Sequence, residues 1–168
     1  MIVKRCLIPL LLICFSLASP CLAREATYDE EAEVKALLEQ HEKAFVAHDL
    51  KGVMETYASD SEVVLMGNGP GEVYVGKEGI EAAYSRFFNK FEPGTLSIDY
   101  DSFFAHFRCD VAWFAVECRA KAEVNKKVEE MALNLSGTLV RQEDKWQFTA
   151  VHFSGLATVK RPVGRSRR

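Results

Sequence analysis

The sequence predicts an α+β domain in which helices come first and a meander of long strands follows. Two patterns carry that expectation. Apolar residues recur at helical spacing up to Phe91, and apolar–polar alternation takes over from Leu96. Size is the third observation. With 168 residues, 48% hydrophobic and 27% charged, the chain suits one domain and is not largely disordered. Eleven Phe, five Tyr and two Trp supply enough bulky surface for a core without a metal or disulfide staple.

The first helix is expected where Thr27 and Glu30 have capping-box spacing, followed by Val34, Leu37, Leu38, His41 and Phe45 on one stripe. Asp49 can cap a second, shorter helix carrying Leu50, Val53, Met54 and Tyr57. Residues 62–66 and 73–75 read as short strands around a turn-rich loop at 67–71. Ile80, Tyr84, Phe87, Phe88 and Phe91 mark a third helix, stopped by Pro93 and Gly94. Four long strands are expected at 96–107, 112–124, 128–141 and 145–156, joined by short polar turns and so paired antiparallel. In the second of these, Ala112, Phe114, Val116, Cys118, Ala120 and Ala122 share one face.

The ends have their own character. Lys4 and Arg5, the apolar run 6–17, and small Cys21 and Ala23 before a cleavage point make residues 1–23 a secretory signal peptide. Export to the periplasm or medium is expected, with the folded domain over 24–157 and a basic, disordered tail over 158–168. Residues 25–159 hold 13 Lys and Arg against 24 Asp and Glu, so nucleic acid is not an expected partner. The five positive charges of the tail suggest at most a contact with an anionic membrane. Loss of the signal leaves Cys109 and Cys118. Cys109 falls in a hairpin turn and Cys118 about seven residues up the next strand, roughly 23 Å away, too far for a disulfide between them.

The segments Phe45-Val-Ala-His-Asp-Leu50, Tyr57-Ala-Ser-Asp60, Gly67 to Lys77, Lys145-Trp146 and Val151-His-Phe-Ser-Gly155, in this order, resemble the nuclear transport factor 2-like superfamily. The likeness is to its SnoaL-like branch, which is also similar to the association domain of calcium/calmodulin-dependent kinase. The resemblance implies a curved antiparallel, cone-shaped sheet of four long and two short strands wrapped around three helices. It also implies a small-molecule pocket and frequent homodimers through the sheet. The superfamily's ketosteroid isomerases use a tyrosine, a carboxylate base and a protonated acid. Those positions fall near His41, Leu65 and Ser136 here, and leucine cannot abstract a proton.

His41, set into an apolar stripe, and His152, on the last strand, are the candidates for proton transfer near neutrality, each weighed against a hydrogen-bonded core histidine. Alternation puts His152 with Trp146, Phe148 and Ala150, either lining the cup or outside it. Asn134 and Ser136, neutral and on one strand face, together with Tyr84 and Trp146, are the candidate ligand contacts. No cofactor and no metal are expected: the 67–71 loop lacks a phosphate-loop context, and His41 and His48 are about 10.5 Å apart along a helix. Three functions remain open, namely a carrier of a small, largely apolar molecule, a proton-transfer enzyme (cyclase, isomerase or dehydratase) with a His base, and a ligand-free assembly subunit.

Overall fold

The structure is a computed structural model describing residues 28–59, 62–124 and 126–155. Its element order is α1 (Tyr28–Val46), α2 (Leu50–Glu55), β1 (Val64–Met66), β2 (Val73–Val75), α3 (Gly76–Phe88), β3 (Ser97–Arg108), β4 (Val111–Val124), β5 (Lys127–Gln142) and β6 (Lys145–Gly155). The expected order of three helices, two short strands and four long ones is found. The Thr27 cap, the leader and the basic tail lie outside the described residues.

Local chemistry accounts for the boundaries. Asp49 accepts the Gly52 N–H at 3.0 Å and so starts α2. Helix α3 stops at Phe88, one turn earlier than the apolar spacing implies, because Asn89 folds back to donate to the Ser85 carbonyl at 3.0 Å. The β5–β6 turn places Glu143 and Asp144 both at positive φ, the two-residue geometry that matches strand twist.

Six strands form one sheet in the order β2-β1-β6-β5-β4-β3. The pairs are antiparallel except β1 with β6, which run parallel. That one pairing joins strands far apart in the chain, and no short turn in the sequence announces it. The sheet curves, and its concave face and the helices bury Tyr57, Tyr84, Phe107, Phe148, Leu65 and Ile80 almost completely. Leu65 is core, as an aliphatic residue on a central strand should be.

Two irregularities bend the strands. Between Tyr100 and Ser102 the register with β4 shifts, leaving Asp101 as an extra residue that pairs instead with Arg119 at 2.6 Å. Between Thr138 and Leu139 the register with β6 shifts past Thr149. The second bulge corrects the alternation read from sequence. Trp146 and Phe148 are buried on the concave side, whereas Ala150 and His152 turn to the convex side. An extra residue in a strand reverses the face of everything after it.

Cys118 is buried and free, as expected. Cys109 sits in the β3–β4 turn at φ +51° and is disulfide-bonded, with a partner outside the described residues.

Candidate functional site

The concave row of β4 tapers from Phe114 and Val116 through Cys118 to Ala120 and Ala122. The large end is packed solid, with Phe114 against Phe148 at 5.8 Å between ring centroids. At the small end the alanines leave room under α1 and the turn after α3, and a cavity of about 350 Å³ opens there. Leu38, Phe45, Phe91, Leu133, Leu135 and Phe153 are among its walls. Exposed Asn68, Lys90 and Glu129 mark its mouth. The volume falls in the range of small-molecule sites.

His41 reaches the cavity floor, and both of its ring nitrogens are engaged. Nδ1 lies 3.0 Å from the Thr56 hydroxyl, which donates its own proton to the Val53 carbonyl at 2.5 Å. The Thr56 oxygen therefore accepts from His41, so Nδ1 carries the hydrogen and Nε2 is an acceptor. Tyr84 then donates to Nε2 at 3.2 Å, and Tyr57 donates to the Tyr84 oxygen at 2.8 Å. The result is a directed chain, Tyr57 to Tyr84 to His41 to Thr56 to Val53, with no polar atom left over. Burial lowers the His41 pKa from 6.5 to about 4, so the imidazole is neutral at pH 7. Burial also raises both phenols, leaving Tyr57 and Tyr84 protonated.

A second polar pair faces the cavity and escaped the sequence reading. Glu42 of α1 and Tyr100 of β3 both line it and hydrogen-bond to each other. Desolvation raises the Glu42 pKa above the usual carboxylate value; the Tyr100 hydrogen bond opposes this, and the charges of Glu39 and Asp99 add to it. Burial, followed by the hydrogen bond and charge of Glu42, raises the Tyr100 phenol. A signal for Glu42 existed: it stands four residues after Leu38, inside the apolar stripe of the first helix. Tyr100 had none, because the bulge at Asp101 decides which way it faces.

The remaining sequence candidates are dispersed. Tyr84 is fully buried beneath the cavity rather than on its wall. Trp146 is buried away from it, donating from Nε1 to Glu33 of α1 at 3.1 Å and so tying the sheet to the helix. Asn134, Ser136 and His152 lie on the convex face, where Ser136 is opposite His152 in register. The Asn134 Oδ1 there is buried without a hydrogen-bond partner in the monomer. Among the described residues no group of three His, Cys, Asp or Glu is placed to hold a metal ion, and no helix is long and apolar enough to cross a membrane.

A profile of the SnoaL-like domain matches residues 34–158. The chain belongs to the SnoaL-like domain family. Its cone is shared by a nuclear transport factor 2-like superfamily protein from Salmonella enterica serovar Typhimurium, at TM-score 0.70 and 17% identity, covering 84% of this chain and 100% of that one. A ketosteroid isomerase-like protein from Erwinia carotovora atroseptica gives TM-score 0.63 and 21% identity over 78% and 99% of the two chains. A nuclear transport factor 2-like protein of unknown function from Pseudomonas putida gives 0.66 and 18% over 80% and 92%. These likenesses establish the nuclear transport factor 2-like fold of this SnoaL-like chain. Among curated proteins none matches the sequence.

Proposed function

We propose that this SnoaL-like protein is exported and works as a homodimeric carrier, each cone holding a small, largely apolar molecule. One observation carries the reading: an open, mainly hydrophobic cavity of about 350 Å³ lies above a floor whose polar groups are already satisfied among themselves. Apolar walls with a few placed polar groups are what a small-molecule site requires. The alternative of a histidine base has less support, since His41 Nε2 accepts from Tyr84 and His152 is on the other side of the sheet. An assembly subunit filled by its own side chains fits an open cavity poorly.

Dimerisation draws support from the convex face. One register row crosses all six strands as Phe104, Ala115, Ser136, His152, Met66 and Val73, and the next as His106, Trp113, Thr138, Ala150, Val64 and Val75. None of these twelve residues is an acid, a lysine or an arginine. Phe104 is 62% exposed, Val75 62% and Trp113 45%, so the face is uncharged, with exposed apolar side chains flanking the neutral polar ones of β5 and β6, a surface of the kind that marks an interface. Export draws support from the leader composition.

Native mass spectrometry of protein recovered from the exported fraction of its own host, paired with calorimetric titration of octanol, tests the carrier. The expected result is a dimer with a mass excess lost on denaturation, and octanol uptake by the emptied protein. A dimer that carries no adduct and takes up no octanol overturns the reading.

A further inference from the structure

The cavity wall holds charge of one sign more than the other. Glu42, Glu72 and Glu129 line it against a single base, Lys90, and neutral His41 contributes nothing to offset them. Lys90 is already placed with its Nζ 4.9 Å above the Phe87 ring, while Glu72 accepts the Gly69 N–H at 2.9 Å. Glu129 is exposed at the mouth, so Glu42, half-buried on α1, is the carboxylate set inside the cavity to meet a ligand. Tyr100 hydrogen-bonds to it, which takes one lone pair and holds the group in place, leaving acceptor capacity for a guest. The same cavity wall carries the rings of Phe45, Phe87, Phe91, Tyr100 and Phe153, and aromatic faces attract cations.

We propose that the guest is a small apolar amine, its ammonium group seated on the Glu42 carboxylate steadied by Tyr100 and its hydrocarbon body on the aromatic and aliphatic wall. This rests on the carrier reading and specifies its ligand. A half-buried carboxylate without a cation is costly, and a guest that supplies the cation removes that cost. A carboxylate guest instead meets Glu42 with Glu39 and Asp99 behind it, all of like charge. A neutral alcohol gains the wall and nothing more than an ordinary hydrogen bond.

The groups facing Glu42 are Glu39 on its own helix and Asp99, Tyr100 and the Cys118 thiol on the strands packed against it. Glu39 and Asp99 make a cation more welcome, burial pushes the Cys118 thiol up so that it stays neutral, and the phenol is the steadying donor.

The experiment is calorimetric titration of the mature protein with octylamine, octanol and octanoate at pH 7.5, repeated with Glu42→Gln. Octylamine is expected to bind about tenfold tighter than octanol, the ratio an added ion pair and cation–π contact supply, with octanoate the weakest. Glu42→Gln is expected to abolish the advantage of the amine, bringing octylamine and octanol to similar affinities. Equal affinities for amine and alcohol, an octanoate preference, or an amine preference that survives Glu42→Gln each overturn the amine assignment and leave the carrier standing. Failure of the carrier reads differently: none of the three binds.

Discussion

His41 shows how a residue that looks reactive in a sequence is used structurally. Its Nδ1–H and Nε2 are both occupied, and its pKa of about 4 is the consequence of burial. The unfolded chain takes a proton at its histidines near pH 6.5, and the folded one refuses it at this position. Full stability is therefore present above pH 6.5 and is lost as the pH falls toward 4, about 3 kcal/mol over the whole window. Urea unfolding of the wild type and His41→Gln at pH 7.0, 5.5 and 4.5 should give stabilities that converge progressively, by about 2 kcal/mol at the lowest pH, since the variant lacks the titration. The direction of the chain makes a second prediction. Tyr84→Phe strips a donor from His41 Nε2 and an acceptor from Tyr57, leaving two buried groups unmatched, at about 2–3 kcal/mol. Tyr57→Phe removes only the terminal donor, at about 1 kcal/mol. Equilibrium unfolding should rank Tyr84→Phe as the more damaging; equal losses would refute the assigned direction.

At the scale of elements, the bulges matter most. The Thr149 bulge sends Phe148 inward and His152 outward, and the Asp101 bulge sets Tyr100 toward Glu42. Gly137 of β5 is part of the same device. A Cβ there would collide with the Ala150 carbonyl oxygen and stand 2.7 Å from Phe114 Cε1, so the strand comes close only because the side chain is missing. Gly137→Ala should cost about 1–3 kcal/mol through overpacking, read as a lower urea midpoint at unchanged m-value. A neutral substitution would mean that the strands separate there without penalty.

For the whole molecule, the convex face and the chain ends carry the tests. Trp113→Glu puts a charge at an exposed apolar position of an uncharged row and should convert a dimer to a folded monomer in sedimentation, with its circular dichroism unchanged. A dimer that persists would move the interface elsewhere. Processing can be read from the intact mass of the mature chain, which is expected to begin at Arg24. Such a chain leaves Cys109 to pair with a second molecule, since Cys118 is free; a start ahead of Cys21 would keep a thiol of the same chain for that bond.

Periodicity was enough to place three helices and four long strands, because each pattern records which side of one element meets the core. It was also enough to set His41 in the buried stripe of α1 and Cys118 in that of β4. Those are local facts, decided by the spacing of side chains along one helix or strand. The parallel pairing of β1 with β6, the outward turn of His152 and the meeting of Glu42 with Tyr100 are of another kind. Each depends on register between strands distant in the chain, and an extra residue at Asp101 or Thr149 reverses a face without altering composition. So the sequence by itself determined the elements and their buried stripes. Only the tertiary structure decided which polar groups share the cavity, because a cavity is the space left between elements and no single element encodes it.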